Sequence, residues 1–476
     1  MSNRVLRVRT SAAELEEGVR AIQAEQHLVA EFPAEVVAEA VAAARAPRLP
    51  DLDRTDLPFV TIDPVGAMDL DQAMHLERDG DGYVVHYAIA DVSAFVVPGG
   101  AIDAEARRRG ESLYGADSKI PLHPRELSED AASLLPDQTR PAFLWTIKLD
   151  AAGEQTDAHL ERALVRSTAR LDYDGVQHQL DAGTAPPMLE LLKEIGQLRQ
   201  KLEAARGGVS LPMPEQVVDC APGGWSVAFR DLLPVEDWNA QISLLTGFAA
   251  ASMMVYGKVG ILRTLPPPES GAVKRLHRTA RALGVEWPAE QTYPDFIRSL
   301  DPARPNHLAM ITACTSLLRG AGYTDFVGEI PAQPLHAALA SEYAHVTAPL
   351  RRLVDRFGLE VCVALCAGTP VPEWVLAALP ELDETMQESG RRARTYENAV
   401  LNLIEAATLA ARVGEKFTGV VVETEHDDPD KGDFVVRDPA VTARITGTGG
   451  LPVGELLEAT LVEADPRTRV VRFEAP

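Results

Sequence analysis

Three aspartates stand within nine residues, Asp63, Asp69 and Asp71 in Thr61-Ile-Asp-Pro-Val-Gly-Ala-Met-Asp-Leu-Asp-Gln-Ala73, with no lysine or arginine between them. Carboxylates crowded in this way repel one another, and a fold tolerates them when a divalent cation such as Mg2+ shares their charge. The preceding Phe59-Val-Thr-Ile62 is β-branched and aromatic, so the acids leave a strand. Two familiar acidic loops are excluded by the spacing. A D-x-[DN]-x-[DN]-G calcium loop fails because Pro64 follows Asp63 and no matching glycine appears; a phosphatase-type DxD with a following threonine fails because Gln72 and Ala73 follow Asp71. What remains is a strand-end metal site for phosphoryl chemistry, set against a solvated acidic turn.

The chain has 476 residues, 46% of them hydrophobic, enough for a large core and about two to four domains. No uninterrupted apolar run reaches the roughly 18 residues that span a bilayer, and Met1-Ser-Asn-Arg-Val-Leu-Arg-Val-Arg9 lacks the apolar block of a secretory signal. A cytoplasmic protein without a membrane partner is expected. Cys220, Cys314, Cys362 and Cys366 form no CxxC and have no nearby histidine, which predicts buried thiols. A formal charge of -24 opposes general attraction to a polyanion, so any nucleic-acid site must be local.

Helical spacing over residues 11 to 26 puts Leu15, Val19 and Ile22 on one face, and a second helix is predicted from Pro33 to Arg45. Pro47, Pro50 and Pro58 then make a linker near 46 to 58. Tyr83-Val-Val-His-Tyr-Ala-Ile89 reads as a strand after an Asp79-Gly-Asp-Gly82 turn, and helices are predicted over 187–206, 239–258, 272–284, 350–366 and 382–412. Five short strand-like pieces after Gly414 suit a small OB-type barrel. The expected fold class is therefore α+β and multidomain: a small helical, helix-turn-helix-like module over 1–50, a mixed α/β domain over 51–410 and a β-barrel over 411–476.

The segment around the aspartates resembles the catalytic RNB domain of the RNase II and RNase R family of 3'-to-5' exoribonucleases. Ile89-Ala-Asp-Val-Ser93, Ile120-Pro-Leu-His-Pro-Arg-Glu-Leu-Ser128, Ala132-Ser-Leu134 and Tyr343-Ala-His-Val-Thr-Ala-Pro-Leu-Arg-Arg352 are similar to further family blocks in the same order. The resemblance implies a cytoplasmic, Mg2+-dependent enzyme, monomeric, that hydrolyses single-stranded RNA from its 3' end to nucleoside 5'-monophosphates. It implies that Asp63, Asp69 and Asp71 hold the metal, with Asp71 the most critical carboxylate, and that Arg351 contacts the scissile phosphate. Tyr114 matches a base-stacking position. The last domain resembles an S1 RNA-binding barrel, with Phe417 and Phe434 as candidate stacking residues.

Four departures from the family pattern stand out. Gln72 replaces a fourth aspartate, Thr347-Ala348 replaces Thr-Ser, and Ala240 and Gln241 take the places of paired glutamates. Two cold-shock barrels are replaced by the helical module, which either binds nucleic acid, aided by Arg4, Arg7 and Arg9, or caps the catalytic domain; easier entry for RNA with a duplex behind a 3' overhang is expected from this. His345 and Arg352 read as packing and ion-pair residues. Two other readings stay open: a catalytically impaired RNB-type RNA-binding or regulatory protein, and an enzyme acting on DNA or a small phosphodiester.

Overall fold

The structure is a computed structural model and describes residues 12–116, 118–221 and 224–476. Arg4, Arg7 and Arg9 lie outside these residues, as does the side chain of Cys220. Two helices come first, α1 (Ala12–Glu25) and α2 (Ala34–Arg45). Leu15, Val19 and Ile22 of α1 are buried in a cluster with Tyr396, Val400 and Leu403, whereas Val36 and Ala40 of α2 enter a different cluster with Phe95 and Ile102. The two helices thus bury their apolar faces against the rest of the chain. The helix-turn-helix-like pairing expected from the sequence does not form among the described residues, because each helix finds a larger apolar partner elsewhere.

The core of the larger domain is a closed barrel of β1 (Phe59–Asp63), β2 (Gln72–Asp79), β3 (Gly82–Ala90), β6 (Thr139–Leu149) and β7 (Gln155–Asp172). Between β3 and β6 lie α3 (Ala101–Arg109) and a short hairpin of β4 (Leu113–Tyr114) and β5 (Lys119–Ile120). Closure comes from parallel pairing of β1 with the far end of β7, which puts Asp63 opposite Asp172. Large residues of the strands, among them Tyr87, Phe143 and Trp145, pack outward on helices α4 (Tyr173–Asp181), α5 (Pro187–Arg206), α6 (Pro234–Gly257) and, later in the chain, α10 (Leu353–Ala367). Helix α6 is long and apolar enough to cross a membrane by length and composition, and much of it is core.

The strand pair β8 (Glu215–Ala221) and β9 (Gly224–Arg230) precedes α6, and β10 (Val259–Thr264) pairs with β11 (Gly322–Val327) around α7 (Ser270–Ala282), α8 (Tyr293–Arg298) and α9 (Pro305–Cys314). A small ladder, β12 (Leu335–His336) with β13 (Ser341–Glu342), leads to the segment from Tyr343 to Arg352. Helix α11 (Glu373–Leu409) runs to the second closed barrel, built of β14 (Lys416–Glu425), β15 (Asp428–Val436), β16 (Val441–Thr446), β17 (Leu456–Asp465) and β18 (Val470–Glu474). Cys314 and Cys362 are buried and Cys366 half-buried, all as free thiols.

Candidate active site

Asp63 ends β1, so the barrel fixes its backbone; its Oδ2 is buried and has no hydrogen-bond partner. The loop that follows is pinned by Ser133, whose hydroxyl accepts from the Leu70 N–H at 2.9 Å and donates to the Met68 carbonyl at 2.7 Å. Leu70 is fully buried, so the loop turns its apolar residue inward and brings Asp69 and Asp71 up on either side of it. The Asp71 N-terminal edge of β2 is held in turn by Ala90, whose N–H donates to the Asp71 carbonyl at 2.9 Å. The Ala132-Ser-Leu134 block thus acts as a clamp on the acidic loop.

Asp71 is 5% exposed. The Leu350 N–H donates to its Oδ1 at 2.7 Å, and Arg351 Nε lies 3.3 Å from its Oδ2. Burial pushes the Asp71 carboxyl up to about 7, with Arg351 and the Leu350 N–H pulling the other way. Burial likewise pushes Asp63 up to about 6, opposed by Arg351 and reinforced by Asp69. Two acids whose environment resists ionisation, facing one guanidinium, make an electrostatic setting that a cation would relieve.

Arg351 reaches this position because its segment is fixed from both sides. Asp355, at the start of α10, accepts from the Ala348 N–H at 2.7 Å and from both arms of Arg352 at 2.8 and 2.9 Å. Arg352 is therefore an ion-pair residue of the scaffold. The Ser112 N–H donates to the Arg351 carbonyl at 3.0 Å, and the turn before it is made by Gly110 at φ +75°, where a Cβ would meet Ser389 at 2.5 Å. His345 is half-buried, shares a 2.7 Å hydrogen bond with Tyr323, and is held well below its usual range by desolvation and nearby arginines, as a packing residue is.

Tyr114 lies on β4, 39% exposed, and its phenol is raised by burial and by the charges of Asp69 and Asp71, opposed by Arg351. Asp63, Asp69, Asp71, Arg351 and Tyr114 therefore share one neighbourhood. They do not form a ready-made metal cage: among the described residues no three His, Cys, Asp or Glu side chains are grouped to hold a metal ion. Lys119 Nζ stands 3.0 Å from Asp69 Oδ1 and 3.0 Å from Glu129 Oε1.

Gln72 is no spare ligand. Its Nε2 donates to the Thr347 carbonyl at 2.6 Å and its Oε1 accepts from the Tyr87 hydroxyl at 2.6 Å, while Thr347 and Ser243 share a 2.9 Å hydroxyl bond. The amide clasps β2 and β3 to the Arg351 segment. Gln241 donates to Glu203 at 2.5 Å and Asn239 to the Tyr173 hydroxyl at 3.2 Å. Lys119, Ser133, Tyr87 and Tyr173 were not singled out from sequence; only Ser133, inside a family block, carried a signal.

Phe417 and Phe434 are elsewhere and otherwise employed. They are 4% and 0% exposed and pack edge-on against Phe473, with ring centroids 5.6 and 5.2 Å away. Both are core residues of the second barrel, and the expectation that they stack on RNA is corrected: a five-stranded barrel fills its interior with such side chains.

A barrel ending in one buried and two half-buried aspartates, with an arginine delivered from a distant loop and a second five-stranded barrel beyond, defines a class. The RNB domain pattern matches residues 52–358 and the RNase II-type exonuclease C-terminal S1 domain matches 415–475. The chain belongs to the RNB family. Among its relatives, Ribonuclease R 1 of Lactococcus lactis is 24% identical over 95% of this chain and 60% of its own length. Ribonuclease R of Escherichia coli is 29% identical over 78% of this chain, which spans 48% of that relative. The chain thus covers about half the length of such proteins. Mycoplasma genitalium RNase R in complex with ribose methylated single-stranded RNA superposes with a TM-score of 0.85 at 20% identity, covering 97% of this chain and 78% of that one. Yeast Ssd1, described as a pseudonuclease, superposes at 0.70 and 14% identity, over 96% and 58%.

Proposed function

We propose that the chain is a metal-dependent 3'-to-5' exoribonuclease, acting as a monomer on single-stranded RNA and releasing nucleoside 5'-monophosphates. The observation that carries this reading is Asp71, buried between the Leu350 N–H and Arg351 and, like Asp63, acted on by the charge of Asp69, on two of the blocks that resemble the RNB family. The unpartnered Asp63 Oδ2 fits a hard divalent cation, for which Mg2+ is the natural choice. Asp63 and Asp71 would hold it, and when bound it supplies Lewis-acid activation of water and neutralises phosphoryl charge.

The remaining work falls to the chain. Arg351, half-exposed yet tethered to Asp71, can turn its free nitrogens to the scissile phosphate and stabilise the charge that develops there. Tyr114 offers a ring on which any base can stack, which suits a sequence-tolerant enzyme. The test uses end-labelled single-stranded RNA, matched DNA, and a duplex with a 3' overhang, with Mg2+ and with EDTA, for the wild type and Asp71→Asn. Metal-dependent release of monophosphates from RNA, absent in Asp71→Asn, is the expected result. Binding of RNA without hydrolysis selects the second reading, a non-catalytic RNA-binding protein, which is favoured by one observation: Gln72 stands where the family has a fourth aspartate, and both ends of its amide are occupied.

A further inference from the structure

We propose that Lys119 is a resident cation of the active site: its ammonium fills the place at Asp69 that a second divalent ion would take, so the chain works with one divalent ion and one lysine. This rests on the exoribonuclease reading and specifies its metal requirement.

The lysine is placed, not wandering. It sits on β5 directly across from Tyr114 on β4, next to the buried Ile120, and the hairpin is tied down by the Leu122 N–H donating to Ser112 Oγ at 3.0 Å. Its side chain is only 17% exposed, and its two carboxylate partners, Asp69 and Glu129, are 16% and 22% exposed. Pairs so far from bulk water are screened weakly, unlike surface salt bridges. Glu129, whose other oxygen lies 3.9 Å from Arg125 Nε, gives the ammonium a second carboxylate, so Lys119 keeps a partner when Asp69 turns toward substrate or metal.

Charge balance points the same way. Around the site four carboxylates, Asp63, Asp69, Asp71 and Glu129, face Lys119 and Arg351, with Arg125 Nε 3.9 Å from Glu129 and the charge of Arg170 felt at Asp63. Lys119 thereby supplies, beside Asp69, positive charge that a second divalent ion would otherwise bring. Gln72 contributes neither charge nor a free oxygen. A lysine can take over part of a metal's duty in phosphoryl transfer, since both act as fixed positive charge beside the oxygens that gain electron density.

Counting bound Mn2+ by electron paramagnetic resonance on the full chain tests this independently of turnover. The wild type is expected to hold one tight Mn2+. Lys119→Met and Lys119→Gln, two charge-free variants of different polarity, are expected to hold two, Lys119→Arg one, and Lys119→Met with Asp69→Asn one again. In parallel, RNA hydrolysis should depend on Mn2+ with a Hill coefficient of about 1 in the wild type and approach about 2 in Lys119→Met, with less activity at low metal. Two tight Mn2+ in the wild type, or an unchanged count in every foldable charge-free variant, overturns the inference while leaving the exoribonuclease reading intact. No RNA hydrolysis by the wild type at any metal concentration overturns both.

Discussion

Asp71 does its work against its own solvation. Burial raises its carboxyl to about 7 and that of Asp63 to about 6. A carboxyl raised on folding costs stability once ionised: the cost is absent below the unfolded value near 4, grows as pH rises, and is complete above the folded value. Asp71→Asn keeps an oxygen for the Leu350 N–H and removes the buried charge. It should therefore stabilise the metal-free protein at pH 7.5 by roughly 1–3 kcal/mol, with the gain vanishing toward pH 4, while abolishing hydrolysis. Urea unfolding at the two pH values checks this, and an equal gain at both would refute the burial argument. Gln72→Asp makes the opposite point. Restoring the family's acid removes the donor to Thr347 and shortens the reach to Tyr87, so a loss of about 1–3 kcal/mol and no gain in rate are expected from denaturant titration and RNA assays. The aspartates and Arg351 were legible because motifs carry them. The Gln72 clasp was not, since its acceptor Thr347 lies 275 residues away, and neither was the Lys119 bridge, which depends on a hairpin whose strands are only two residues each, too short for a strand pattern.

At the scale of elements, local pattern and the closure of the second barrel were read well, and the closure of the first was not. Helix α5 falls at 187–206 as its periodicity predicts, and the last domain has its five strands. The first barrel escaped notice because β7, 18 residues long, mixes arginines, acids and apolar residues without clean alternation, and because its pairing with β1 joins residues more than a hundred apart. In the second barrel the identity of the strands was right and the direction of Phe417 and Phe434 wrong. Aromatic residues near an expected RNA face look like stacking platforms, yet alternation turns these two inward. Phe434→Ala should then cost about 3–5 kcal/mol, and Phe434→Leu much less. Below its melting temperature Phe434→Leu should bind single-stranded RNA as the wild type does. A clear loss of RNA affinity in a fully folded Phe434→Leu protein, measured by fluorescence anisotropy, would restore the stacking role.

For the whole molecule the organising element is α11, whose 37 residues carry a buried stripe from Val375 to Leu409 past both barrels. One apolar cluster along it joins Leu15, Val19 and Ile22 of α1, Leu113 and Ile120 of the hairpin that bears Tyr114 and Lys119, Trp225 of β9, and Ala440 of the second barrel. Tyr396, fully buried on α11, accepts from the Gln23 side chain at 3.0 Å. The first helix is thereby part of the support of the active-site hairpin, although it lies far from it in sequence. Ile22→Ala, a fully buried site, should cost about 2–4 kcal/mol. The cost should spread: hydrogen–deuterium exchange is expected to rise in the middle of α11 and in residues 113–120 as well as in α1, and the KM for RNA to increase. Exchange confined to residues 12–45, with KM unchanged, would mean that the helices form a separate module, and that the hairpin draws its rigidity from β4, β5 and the Arg351 segment alone.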